Sequence, residues 1–174
     1  SGVALDERMP SVLRTIYLLF NEGYAASDGD RLIREDICGE ALRLSFLVSD
    51  HALTRSPVAH ALAALLSFQH ARRGARVKVD GTPFLLDAQD RALWDHALIA
   101  RGFAHLRRAQ AGDELSTYHL EAGIASVHAA SPSWEATDWS TARRYYDLLM
   151  EIAPSSVVAV NRAIAIARID GPDI

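Results

Sequence analysis

A chain of 174 residues with 49% hydrophobic and 23% charged residues can bury one continuous core and is too mixed in composition to be disordered or fibrous. Its formal net charge of -4 argues against unaided grip on a phosphate backbone, and no apolar run approaches the roughly 18 residues a membrane span needs. The single cysteine, Cys38, excludes an internal disulfide, and the single lysine, Lys78, is the one position for a lysine Schiff base.

In chain order, the first helix is expected from Pro10, a good first-turn residue, with Val12, Ile16, Leu19 and Phe20 on one face. "FNEGY" reads as its stop, with Gly23 in the left-handed C′ position and Tyr24 packing back on Leu19. Steps of three and four through Ile33, Ile37, Ala41, Leu44 and Val48 predict a second helix over 32–48. Ser56 and Pro57 open a third, running to about 74; because "ALAALLSF" is apolar almost all round, this helix belongs at the centre.

Between 77 and 86 the pattern breaks: Val77 and Val79 alternate, Asp80-Gly81 signals a turn and Pro83 disfavours helix, so a short hairpin or extended loop is expected. A long helix over 90–112 comes next, with Asp90 as N-cap and Asp95 in the first turn. A fifth spans 116–130, and a final pair, 140–153 and 156–169, is joined at Pro154. Trp139 reads as a hydrophobic staple ahead of the sixth helix. The fold class is therefore all-α, one domain over 1–174 made of antiparallel helical hairpins, with 1–112 and 113–174 as its possible subdivisions.

Chemistry is hard to find. His96 and His105, like His119 and His128, are nine residues apart, which places the members of each pair on opposite helix faces. There is no H-E-x-x-H, no cysteine pair, no G-x-S-x-G and no phosphate-cradling glycine loop. Asp87, Asp90, Asp95 and His96 are the densest acidic cluster, but a cap explains Asp90 and the helix dipole explains Asp95. Arg72, Arg73, Arg76 and Lys78 form the strongest basic group, and a helix C-terminus accounts for the first two. No catalytic residue, metal or cofactor is expected, and the chain reads as a non-enzyme. Without a signal-peptide pattern at its start, cytoplasmic residence is the expectation.

The helix pair "TARRYYDLLMEIAPSSVVAVNRAIAIARIDGP" resembles a tetratricopeptide step, which implies a right-handed array of helical hairpins. Across about 9–172, "IYLLFNEGY", "EALRL", "ARRGAR", "DAQDRALWD", "LIARGF", "TDW" and "NRAIAIA", in this order, resemble the long C-terminal extension of one group of extracytoplasmic-function RNA polymerase sigma factors. The resemblance implies a regulatory, protein-binding role. The implied partners are RNA polymerase core, the factor's own sigma core or a regulatory protein, and promoter DNA would be met only through N-terminal sigma regions that this sequence lacks. It also implies Asn21, Glu22, Tyr24, Asp90, Arg91, Trp94, Asp95, Asp138 and Trp139 as surface or groove residues. Likeness to tetratricopeptide grooves adds Asn161 and Arg162. Two other readings are a small-molecule sensor, with a pocket near Asp87, Asp90, Trp94 and His96, and a free-standing adaptor.

Overall fold

Seven α-helices succeed one another in the computed structural model, which describes residues 5–25, 31–76 and 82–171, the side chains of 25 and 31–35 excepted. They are α1 (Met9–Ala25), α2 (Arg31–Asp50), α3 (Pro57–Ala71), α4 (His96–Ala109), α5 (Thr117–Ala130), α6 (Trp139–Ile152) and α7 (Ser156–Asp170). No β-strand occurs among the described residues.

N-caps do much of the local work, the one at Ser56 as expected from sequence. Ser56 accepts from the Ala59 amide at 3.1 Å with Pro57 in the first turn, Asp138 accepts from Thr141 at 3.0 Å, and Ser155 accepts from Val158 at 3.2 Å. Each satisfies an amide that the helix itself leaves unpaired. At α5 a histidine replaces the usual acidic partner of a capping box. His119 Nε2 donates to the Ala109 carbonyl at 3.1 Å, so its Nδ1 is the acceptor for the Ser116 amide, also at 3.1 Å.

α3 is the hub, packing against α1, α2, α4 and α5. Every residue from Ala59 to Phe68 is buried, as the all-round apolar sequence demands. One side joins Leu13, Ile16 and Phe20 of α1 and Cys38, Ala41 and Leu42 of α2 through Leu62 and Leu66. The other joins Trp94, Ile99 of α4 and Ala122 of α5 through Leu65 and Phe68. A third cluster, Leu120, Ile124 and Leu149, attaches α6 to α5.

α7 is different. It packs only on α6 among the described helices, with Ala165 its only buried residue. Val157 and Val160 are 66% and 61% exposed and Ile164 also faces outward, so steps of three and four draw one uncovered apolar stripe.

Two glycines differ in what they leave room for. A Cβ at Gly102 would stand 2.8 Å from Phe68 Cε1, whereas one at Gly39 meets nothing within 4 Å. Gly102→Ala should therefore lower stability by about 1–3 kcal/mol through overpacking, and Gly39→Ala should raise it by about 0.5–1 kcal/mol through helix propensity. Urea melts of the two variants check both signs.

Several expectations need correction. α1 continues through Gly23 to Ala25, so Gly23 is not a left-handed C′ residue and Tyr24 stacks on Phe20, not on Leu19. α4 begins at His96, not Asp90. Asp90 instead caps a short 3-10 turn, Arg91–Leu93, and Asp95 is the N-cap of α4, accepting from Leu98 at 2.9 Å. That helix ends at Ala109, and Gly112, with φ of 108°, turns the chain beyond it. Trp139 is the first residue of α6 and buried, not a staple outside it. Half of the hairpin expected over 77–86, residues 77–81, lies outside the described residues; residues 82–85 form no strand beyond a single bridge residue at Pro83 and lead into a 3-10 turn at Leu86–Ala88.

Candidate functional site

The segment linking α3 to α4 is held by specific bonds rather than by regular structure. The Asp95 amide donates to the Ala71 carbonyl at 2.9 Å and Gln89 Nε2 donates to Phe84 O at 3.2 Å. Between these ties, Trp94 is driven into the core among Ala71, Ala75 and Ile99, only 4% exposed. Arg91 lies over its ring, 4.6 Å from the centroid, and Arg72 approaches the same ring at 6.0 Å.

Arg91 also fastens this segment to the end of α5. Its Nη1 donates to the carbonyls of His128 and Ser131, the latter at 2.8 Å, which satisfies carbonyls that a helix C-terminus leaves open. Beyond Ser131 the chain forms a second wall, where Ala136 N donates to Ser133 Oγ at 3.2 Å. Trp134 stacks on His128 with ring centroids 5.9 Å apart, and Trp139 meets Trp134 edge-on at 4.4 Å. Arg168 of α7 lies 5.9 Å from both indoles.

An open cleft of about 280 Å³ separates the two walls. Asp87, Gln89, Asp90 and Arg91 line one side, Ser133, Trp134 and Glu135 the other. Burial, reinforced by Arg72 and Arg91, drives the His128 pKa down to about 4, so its ring is neutral at physiological pH. Burial also depresses Arg91, and Glu135 is held below the usual carboxylate range chiefly by hydrogen bonds to its own backbone and Ser133. Among the described residues, every buried side-chain nitrogen or oxygen without a hydrogen-bond partner on the protein belongs to this neighbourhood: Gln89 Oε1, Arg91 Nη2, Trp94 Nε1, His128 Nδ1 and Trp139 Nε1. No group of three or more His, Cys, Asp or Glu side chains suited to a metal occurs among those residues.

Residues 8–110 match the model of a family of unknown function, DUF6596. The chain belongs to the DUF6596 family. Over 167 residues it is 38% identical to uncharacterized protein R00370 of Rhizobium meliloti (strain 1021), a match covering 96% of this chain and 39% of that protein. The chain thus spans well under half the length of this relative. No solved structure matches it.

Of the four residues at which this DUF6596 chain was expected to form a pocket, two line the cleft. Asp87 and Asp90 line the cleft, Trp94 is in the core behind Arg91, and His96 is exposed and does not line it. Trp94 and Trp139, expected as surface anchors, are buried, the latter 8% exposed. Tyr24 lies under the Arg76 guanidinium at 3.4 Å and accepts a bond from Arg72 at 2.9 Å. Because Arg72 in turn touches Trp94, the end of α1 and the cleft share one run of contacts. Asn21 is half-buried and Glu22 exposed on α1. Asp95 and Asp138 are occupied as helix caps. Arg162 pairs with Asp147 of α6 at 2.5 Å, which gives it a role between helices, with Asn161 half-buried beside it in sequence.

Sequence reasoning missed one buried pair entirely. His60 Nδ1 of α3 and His105 Nδ1 of α4 lie 3.0 Å apart, so one donates and the other accepts. Burial pushes His105 down to about 4 and His60 down as well. Forty-five positions separate them in the chain, and no local pattern pairs them.

Proposed function

We propose that this chain is a non-catalytic regulatory domain of an extracytoplasmic-function sigma factor, built from tetratricopeptide-like helix pairs and acting through protein contacts. Its partners in this reading are RNA polymerase core, the factor's own sigma core or a regulatory protein. Promoter recognition belongs to other parts of a longer polypeptide. The ordered motifs from "IYLLFNEGY" to "NRAIAIA" suggest the family, and the 39% coverage of the Rhizobium meliloti relative is consistent with a domain of something larger.

The observation that carries the reading is the outer face of α7. Val157, Val160 and Ile164 are presented on a helix that touches only α6 among the described helices, and an uncovered stripe of this spacing suits an amphipathic helix laid alongside it. The anchors accordingly move from Trp94 and Trp139, which are core, to α7.

Deleting the whole domain from the full-length factor should reduce transcription from its target promoters or change promoter choice, read by in vitro transcription with purified polymerase. Unchanged activity and choice would sink the proposal. The point variant Val160→Glu should weaken capture by polymerase or the sigma core while shifting stability by no more than about 0.5 kcal/mol, as expected for an exposed site.

A further inference from the structure

From Val157 to Ala167 every exposed residue of α7 is valine, isoleucine or alanine. The charged side chain within that span, Arg162, turns inward to Asp147 of α6. Other helices meet water with charge: Glu40 and Arg43 on α2, Arg101 and Arg107 on α4, Arg144 and Glu151 on α6. A solvated helix keeps polar residues outward, and the last helix of a stacked array needs a polar outer face to stay in solution. α7 meets neither condition, so its outer face is built to be covered.

The size of this face limits what can cover it. Val157 to Ala167 spans about 15 Å at 1.5 Å per residue, and with one helix width of about 10 Å the face measures roughly 150 Å² in projection. A stable association of separate molecules buries roughly 800 Å² on each. A second copy or a free partner seated on α7 alone therefore falls well short. A helix on the same polypeptide does not, because its tether supplies a high effective concentration. Length allows for one: more than half of the Rhizobium meliloti relative lies outside its match to this chain.

We infer that the bare face of α7 seats a further helix of the same polypeptide, from outside residues 1–174, whose contact side is apolar and free of charge along the same length. The inference rests on one part of the reading above, that this chain is a domain of a longer polypeptide, and it narrows the partners named there to one carried on the same chain. The two fail separately. Transcription after deletion of the domain tests the sigma-factor role, whereas the test below involves no polymerase.

The experiment is hydrogen–deuterium exchange on the purified full-length polypeptide over a dilution series. Amides of α7 should be as protected as those of α6 at every dilution. Val160→Glu should speed their exchange by about tenfold or more while leaving α3 unchanged, α3 being the folding control within the same sample. Ala163→Glu, on the same exposed face, should repeat the effect. If neither variant folds, the wild-type dilution series still carries the test. Rapid exchange of α7 in the wild type overturns the inference, and so does unchanged exchange in folded Val160→Glu. Protection that fades on dilution overturns it in favour of a second copy, and protection that arises only when polymerase or another protein is added overturns it in favour of a separate partner.

Discussion

Trp94→Ala should lower the unfolding free energy by about 3–5 kcal/mol, the usual cost of truncating a buried aromatic side chain to a methyl group. Three losses coincide. The cavity opens among Ala71, Ala75 and Ile99, and the two alanines are too short to reach into it. Arg91 and Arg72 lose the ring that both approach, and the α3–α4 link loses the residue that holds it inward. Trp94→Phe should recover more than half of the loss. Equilibrium denaturation of the two variants settles the matter; a cost near that of a surface change would mean that the ring is not a structural post.

Acidification should destabilise the protein strongly between neutral pH and about pH 4. His105 and His128 both fall to about 4 in the fold, chiefly through burial, against about 6.5 in an unfolded chain. A histidine with a depressed folded pKa contributes stability that is fully present above its unfolded value and is lost as pH falls towards its folded value. Each can contribute at most on the order of 3 kcal/mol across this window. Protonation is disfavoured further at His128 by Arg72 and Arg91; at His105, Asp50 favours it, against His60, Arg101 and Arg108, which disfavour it. Glu121 works the other way: burial raises its carboxyl, so acid relieves part of its cost. Urea midpoints measured along this range should fall with pH, and His105→Phe with His128→Phe should flatten the profile. A wild-type profile already flat would remove the account of both rings.

The helices were readable because their signals were local and mutually consistent. Ser56-Pro57 ahead of an all-apolar run marks a capped central helix, and the break at Pro154 marks the start of another at 156. The start of α4 was not readable, because Asp90 and Asp95 are equally good cap residues. The choice is made by Trp94, which enters the core and stops the 3-10 turn, and by the Asp95 amide reaching back to Ala71. Gly23 failed for a similar reason. A glycine near a helix end normally favours a stop, but Tyr24 gains more by stacking on Phe20 and engaging Arg72 and Arg76 as helix.

The cleft was half legible. Asp87 and Asp90 stand out as an acidic cluster, but Ser133, Trp134 and Glu135 arrive from more than forty positions away. Arg91 was singled out by motif likeness, while its bonds to the His128 and Ser131 carbonyls depend on where α5 ends. Trp94 and Trp139 were expected at a surface or groove through the family resemblance alone; packing claimed both.

The one-sided attachment of α7 gives the molecule an uneven resistance to opening. A helix holding on through Ala165, Val158, Arg168 and the Arg162–Asp147 pair can detach without disturbing α3, around which the other layers close. Amide hydrogens of α7 should therefore exchange with solvent deuterium long before those of Ala61 to Leu66, as a separate cooperative unit. Anything that settles on its bare side would slow that exchange first at this end of the molecule.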